Sequence, residues 1–178
     1  MTVIYIRHSC DEGEASHKHD GHINSSGKKA AKEFARSLIK KHGVPHAIYC
    51  SPFQRCRETL ESMKTEFSKE PKIVMDTNLS RYFSSREKKK PSVYVSTIGY
   101  GPNIHEDWDE FKKRCKDHVK RMEKHKYYER KEIVWVLTHA LVLKQVAPVF
   151  EVKLPEWMEF LYSFKVKSKD SKKSKEKQ

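Results

Sequence analysis

Nucleophilic and basic side chains follow three separate apolar runs of this chain, near the point where each run ends. Arg7 and His8 directly follow the first run, Arg55 lies five residues after the second, and His139 lies two residues after the third. A neutral imidazole can act as a nucleophile near neutral pH, and a guanidinium pairs with two oxygens of a phosphate group. These residue types therefore indicate chemistry on a phosphoryl group, provided that the fold brings the four side chains together.

The three apolar runs are predicted to be buried strands of one parallel sheet. They cover residues 3–6, 48–50 and 133–137, and they are short, rich in β-branched and aromatic residues, and followed by polar residues. Ligands bind beyond the carboxyl ends of the strands in open α/β sheets. If these strands are parallel neighbours, the candidate residues meet at one point.

Helical periodicity is predicted between these strands. One helix starts at Asn24 and ends near His42, a second runs from residues 51–52 to about 69, a long charged helix covers 107–128, and an apolar helix follows His139. Residues 72–75 and the alternating apolar positions of 160–166 indicate two further strands. This alternation favours a three-layer α/β/α domain with a mostly parallel central sheet.

Composition narrows the class of protein. Hydrophobic residues make up 37% and charged residues 34% of the 178 residues, and the formal net charge is +13. No apolar stretch has the length of a membrane span, no signal peptide is visible, and the four cysteines lack metal-binding or redox spacing. We expect one domain over residues 1–167 and a basic disordered tail over 168–178, in the cytoplasm, with the nucleus as an alternative.

Four segments, in chain order, resemble the signatures of the histidine phosphatase superfamily, whose fold is called phosphoglycerate mutase-like. The resemblance covers residues 3–166. Residues 7–9 are similar to the Arg-His-Gly motif, residues 23–27 to Leu-Thr-x-x-Gly, residues 51–59 to Ser-Pro-x-x-Arg-x-x-Gln-Thr, and residues 136–140 to the strand that carries a second histidine. Cys56 and Ala140 are nearer to the branch of the ubiquitin-associated tyrosine phosphatases than to the glycolytic mutases.

This resemblance implies a metal-independent phosphomonoesterase that forms a phosphohistidine at His8 and needs no cofactor. The expected substrate is a phosphorylated small molecule or a phosphoprotein. The other residues of the implied phosphate pocket are Arg7, Arg55 and His139, with Ser9 and Arg81 as further candidate phosphate contacts.

The position of the expected proton donor differs from the family pattern. Many members carry a glutamate shortly after the third strand, whereas this chain has Arg81 there, and an arginine cannot donate a proton at neutral pH. The candidate acids are Glu106, Asp107 and Glu12, with Asp11 and Glu87 also open. Acidic residues in a first helical turn also complement the helix dipole, which explains Glu106 and Asp107 without catalysis. The alternative hypothesis is a weak or inactive relative that binds phosphorylated ligands without turning them over.

Two other features have competing interpretations. The basic surface and the Lys-rich tail could bind nucleic acid, but a solvated surface is favoured. Residues 17–22 contain three histidines and an aspartate that could be read as a metal site; a polar loop beside the pocket is favoured, and no metal is expected. No membrane partner is expected, and the sequence does not indicate an oligomeric state.

Overall fold

The computed structural model describes residues 1–10, 21–83, 106–124 and 132–167. Five strands and four α-helices alternate along these residues, as the sequence predicted. The elements are β1 (Thr2–Arg7), α1 (Ser25–His42), β2 (Ala47–Cys50), α2 (Gln54–Lys64), β3 (Lys72–Met75), a 3-10 turn (Thr77–Leu79), α3 (Trp108–Lys124), β4 (Ile133–Thr138), α4 (Ala140–Val146), a second 3-10 turn (Ala147–Phe150) and β5 (Ser163–Lys167).

The strands form one sheet in the order β3-β2-β4-β1-β5. Strands β1 to β4 run parallel, and β5 lies antiparallel to β1 at one edge. Strand β4 is flanked by β1 and β2, and its register pairs Thr138 with Arg7 and Leu137 with Cys50. The carboxyl ends of these three strands are therefore adjacent, which confirms the predicted arrangement of a mostly parallel sheet.

Two apolar cores cover the two faces of the sheet, because successive side chains of a strand point to opposite faces. On one face Val3 and Tyr5 pack in the same core as side chains of α3 and α4. On the other face Ile4 and Ile6 pack with side chains of α1 and α2. Strands that are buried on both faces read as continuous apolar runs, which explains the sequence pattern. The three-layer α/β/α prediction is confirmed.

Helix α1 starts at the predicted position because Asn24 caps it. The Asn24 side-chain oxygen accepts a hydrogen bond from the Gly27 amide over 2.7 Å. Gly27 also lies very close to the chain that follows β1, since a Cβ at this position would be 2.4 Å from the Cys10 carbonyl oxygen. A glycine is thus required here by the close approach of α1 to the loop after His8.

Three predicted boundaries are wrong. Helix α2 begins at Gln54, with Phe53 at the N-cap position, and it ends at Lys64 rather than near residue 69. Strand β5 covers 163–167 only, because Leu161 adopts a left-handed φ of 60° that interrupts the extended chain before it. The regular part of the last helix ends at Val146, and the chain continues as a 3-10 turn that contains a proline.

Two further predicted boundaries are the end of α3 and the start of the basic tail. Helix α3 is described to residue 124, and its predicted continuation to 128 lies outside the described residues, as does the tail over 168–178. The domain boundary at residue 167 stays a prediction. Among the helices that the structure describes, none combines the length and the hydropathy that a membrane span requires.

Candidate functional site

The ends of β1 and β4 bring His8 and His139 together. Their ring centroids are 5.3 Å apart, and the two residues are only 5% and 4% exposed. The register of the sheet causes this proximity: Arg7 pairs with Thr138, and the His8 amide donates a hydrogen bond to the Thr138 carbonyl over 2.9 Å. Two histidines that are 131 positions apart in the sequence therefore lie side by side.

The backbone selects the tautomer of His8. Its Nδ1 lies 2.8 Å from the Ser9 carbonyl oxygen. A carbonyl oxygen only accepts hydrogen bonds, so Nδ1 carries the proton and donates it in this contact. In the neutral ring Nε2 then carries the lone pair, and a neutral imidazole nitrogen of this kind is a competent nucleophile.

His139 has the opposite tautomer. Its Nδ1 accepts a hydrogen bond from Arg55 Nε over 3.4 Å, because a guanidinium only donates. Its Nε2 therefore carries the proton and donates it to Ser51 Oγ, 2.9 Å away, with Cys56 Sγ at 3.6 Å. Burial lowers the pKa of His139 well below its ordinary value of 6.5, and the positive charge of Arg55 lowers it further. His139 is thus neutral at pH 7 in this structure.

The Phe53 ring joins His139 to two arginines. The ring centroid is 5.2 Å from the His139 ring, 6.0 Å from Arg55 Cζ and 5.4 Å from Arg81 Cζ. Arg55 is 7% exposed, so its charge lies inside the protein. Both guanidiniums lie against one aromatic ring, which places Arg81 in the same pocket as Arg55 and His139.

Arg7 lies against Phe160, whose ring is close to that of His8. Arg7 Cζ is 4.2 Å from the centroid of the Phe160 ring, and that ring is 5.8 Å from the His8 ring. Arg7 Nη1 also donates a hydrogen bond to the Met158 carbonyl. The structure therefore places Arg55 beside His139, and it places Arg7 against the aromatic ring that lies next to His8.

Ser9 connects the loop after His8 to both helices on that face of the sheet. Its hydroxyl donates to the Gly27 carbonyl over 2.7 Å, and its amide donates to Thr59 Oγ1 over 3.0 Å. Thr59 in turn donates to the Arg55 carbonyl over 2.6 Å. Because the proton of the Ser9 hydroxyl is directed at α1, we do not retain Ser9 as a phosphate contact. Its contacts instead hold His8 in register with α2.

The two described candidate acids are engaged elsewhere. The carboxylate of Glu106 accepts from Arg114 Nη2 over 2.5 Å and from Arg114 Nε over 2.9 Å, and its Oε1 also accepts from the Phe83 amide over 3.2 Å. Asp107 Oδ1 accepts from the amides of Asp109 and Glu110 over 2.8 Å each, which is an N-terminal cap of α3. We therefore retain neither as the proton donor. The remaining candidates, Asp11, Glu12 and Glu87, lie outside the described residues.

The histidine-rich segment at 17–22 is described only at its end. His22 Nδ1 lies 2.5 Å from Glu58 Oε1, and Glu58 also accepts from the Ile23 amide over 2.8 Å. His17, His19 and Asp20 lie outside the described residues. Within the ranges that the structure describes, no three histidine, cysteine or acidic side chains are placed to hold a metal ion.

Sequence reasoning missed three residues of this site. Ser51 lies at the predicted start of the second helix, whereas in the structure it bonds His139, a contact that depends on the neighbouring strand. Phe53 lies inside a recognised motif, so an aromatic residue between Ser51 and Arg55 was a usable signal. Phe160 was assigned to the last strand, and no local pattern shows that the turn at Leu161 places it against Arg7.

Known proteins are similar to this chain in sequence pattern and in fold. The model of the histidine phosphatase superfamily (branch 1) matches residues 3–161. The fold is similar to the ecdysone phosphate phosphatase EPPase of Bombyx mori, solved with tungstate, with a TM-score of 0.68 and 15% identity over 95% of this chain and 90% of that one. It is also similar to YhfR of Bacillus stearothermophilus, with a TM-score of 0.68 and 19% identity over 92% and 89%.

A third similar structure is the protein histidine phosphatase SixA, solved with tungstate, with a TM-score of 0.65 and 16% identity over 96% of this chain and 90% of that one. At these identities the likeness shows a shared fold. No curated protein sequence matches the chain.

Proposed function

Because the chain belongs to the histidine phosphatase superfamily, we propose that it is a phosphomonoesterase with His8 as its nucleophile. Phosphatases of this fold are among its structural neighbours. The observation that carries the proposal is the pair of tautomers. The Ser9 carbonyl leaves the lone pair of His8 on Nε2, and His139 with Arg55 lies beside it.

The proposed reaction has two displacements at phosphorus. His8 Nε2 attacks, the N–P bond forms as the P–O bond to the leaving group breaks, and a phosphohistidine results. Water then attacks phosphorus: the new P–O bond forms as the N–P bond breaks, the electron pair of the N–P bond returns to Nε2, and one proton of the water passes to the solvent. Arg7 and Arg55 neutralise the non-bridging oxygens as charge develops on them. Neutral His139 accepts from Arg55 Nε and so orients that guanidinium beside His8.

A second candidate function is binding of phosphorylated ligands without turnover. It is favoured by Arg81, a cation in the pocket, and by the engagement of Glu106 with Arg114. The substrate, a phosphorylated small molecule or a phosphoprotein, is part of the proposal. We also propose that the chain is nearer to the branch of the ubiquitin-associated tyrosine phosphatases, which rests on sequence resemblance. The proposed location is the cytoplasm, with the nucleus as an alternative. Nucleic acid as a partner of the basic surface stays the less favoured hypothesis.

Hydrolysis of p-nitrophenyl phosphate distinguishes the two functions. We expect turnover by the wild-type protein that a chelator does not reduce, and a fall of kcat/KM by about 1,000-fold or more in His8→Ala. His42→Ala is the matched control, since His42 ends α1 away from the carboxyl edge of the sheet, and it should keep full activity. Full activity in His8→Ala would contradict the proposal. Phosphate or vanadate binding without any turnover would favour the binding function.

A further inference from the structure

A single arginine of α3 holds the segment that carries Arg81. Arg114 donates hydrogen bonds to the carbonyls of Asn78, Ser80 and Arg81 over 2.8, 3.0 and 3.1 Å. The same guanidinium forms the two-pronged ion pair with Glu106, and the two side chains are only 15% and 11% exposed. The backbone at Arg81 is therefore fixed by several partly buried, charge-assisted contacts.

The same segment is attached to the strand that carries His139. Thr138 Oγ1 donates to the Leu79 carbonyl over 2.6 Å, and Thr138 is fully buried. His139 directly follows Thr138, and Arg81 lies two residues after Leu79. This one hydrogen bond therefore ties the chain at His139 to the chain at Arg81. The Arg81 guanidinium then lies against Phe53, whose ring contacts that of His139. Arg114 thus holds the backbone of Arg81, and Phe53 lies against its guanidinium.

The charge of Arg81 adds to that of a pocket already rich in cations. Arg7 and Arg55 suffice to pair with the non-bridging oxygens of one phosphoryl group. Glu106, which lies next to this segment, forms its ion pair with Arg114. A guanidinium cannot release its proton at neutral pH, but it stabilises an oxygen on which negative charge develops. Arg81 is therefore suited to an oxygen that leaves as an anion.

We propose that Arg81 stabilises the leaving oxygen as an anion, so that the substrates are phosphoryl compounds with weakly basic leaving groups, aryl phosphates or phosphoanhydrides, rather than alkyl phosphates. This inference rests on the proposed function. The step balances without an acid: the N–P bond to His8 forms, the P–O bond breaks, and the electron pair stays on the departing oxygen. An alkoxide is too basic to leave in this way, whereas a phenolate or a phosphate is not.

The test compares leaving groups in wild type, Arg81→Gln and Arg57→Gln. The compounds are p-nitrophenyl phosphate, phenyl phosphate, inorganic pyrophosphate and glycerol 2-phosphate. We expect wild type to hydrolyse glycerol 2-phosphate at least about 100-fold more slowly than p-nitrophenyl phosphate. In Arg81→Gln the loss of kcat/KM should grow from about threefold for p-nitrophenyl phosphate to about 30-fold for phenyl phosphate.

The control Arg57→Gln removes an exposed arginine of α2 and should change none of these ratios. An unchanged melting temperature of Arg81→Gln would show that the fold is intact. A wild-type kcat/KM that is larger for pyrophosphate than for phenyl phosphate would identify the phosphoanhydride as the preferred class, and the reverse order would identify the aryl phosphate.

Three results would overturn the inference. The first is a loss of kcat/KM in Arg81→Gln that is the same for every leaving group. The second is efficient hydrolysis of glycerol 2-phosphate that Glu12→Gln abolishes, since this shows proton donation to the leaving group by a carboxyl. Both leave the phosphatase function standing. The third is the absence of hydrolysis of all four compounds by wild type, which overturns the inference and the proposed function together.

Discussion

His8 and His139 have different tautomers because their Nδ1 atoms contact different groups. The Ser9 carbonyl holds the proton of His8 on Nδ1, and the Arg55 guanidinium keeps the proton of His139 off Nδ1. One ring therefore offers a lone pair on Nε2 and the other offers a proton on Nε2. This division of roles needs no difference in residue type, so the sequence could place both histidines in the pocket but could not assign their tautomers.

Ser51→Ala tests the tautomer of His139. Removal of the hydroxyl leaves the buried Nε2–H of His139 without its 2.9 Å acceptor, so we expect a loss of unfolding free energy of about 1–2 kcal/mol and a fall of kcat/KM of about 10-fold. Ser62→Ala is the matched control, because Ser62 is also a buried serine and donates to the Glu58 carbonyl of the same helix. An activity of Ser51→Ala equal to that of Ser62→Ala would refute this role.

Among the elements, α3 does more than cover one face of the sheet. The Glu106 amide donates to the Phe83 carbonyl over 3.2 Å, and the Phe83 amide donates to Glu106 Oε1 over 3.2 Å. These reciprocal bonds join the chain just before α3 to the chain after the first 3-10 turn. Arg114 of α3 adds its hydrogen bonds to the same segment. A helix that covers one face of the sheet therefore determines where Arg81 lies.

Arg114→Leu should destabilise the protein by about 3 kcal/mol, because it leaves the mostly buried carboxylate of Glu106 without its cationic partner. The double variant Arg114→Leu/Glu106→Leu should recover part of that loss, since the unpaired charge is then absent. Urea denaturation measures both. Lys113→Leu, at the adjacent exposed position, should stay within about 0.5 kcal/mol of wild type. Equal losses in the single and double variants would show that the ion pair is not the cause.

The sequence predicted the elements whose signals are local. β3 was placed at its observed bounds by its short apolar pattern, and α1 by the Asn24 cap. Signals that depend on distant residues were misread. Ser51 is predicted to begin the second helix, but β4 places His139 beside its hydroxyl. Likewise, Glu106 looks like a possible acid until Arg114, eight residues later, takes both of its oxygens.

At the scale of the whole molecule, a buried neutral histidine makes stability depend on pH. Burial and Arg55 lower the pKa of His139 below 6.5 in the folded state, so the unfolded state binds a proton more readily than the folded state. Stability is therefore complete above about pH 6.5 and falls as the pH drops below that value, with a slope that approaches about 1.4 kcal/mol per pH unit. Urea denaturation at about pH 7.5 and about pH 5.5 measures it.

His139→Gln should remove most of this slope. His42→Gln is the control, since burial also lowers the pKa of His42 but its side chain is only partly covered. It should leave most of the slope in place. Asp76 does not contribute in this range: hydrogen bonds from His118 and Asn78 outweigh the effect of burial and hold its pKa below 3.8, so its stabilisation is lost only at lower pH. Identical slopes in wild type and His139→Gln would contradict the assignment of a neutral His139.

The proposed mechanism requires His8 to accept the phosphoryl group, and rapid quenching of the reaction tests this most directly. Wild-type protein is mixed with p-nitrophenyl phosphate, quenched at alkaline pH, digested and examined by mass spectrometry. We predict a phosphoryl group on the peptide that contains His8, stable in base and lost in acid, and its absence from His8→Ala. A phosphoryl group on another residue, or turnover without any phosphorylated peptide, would contradict the account.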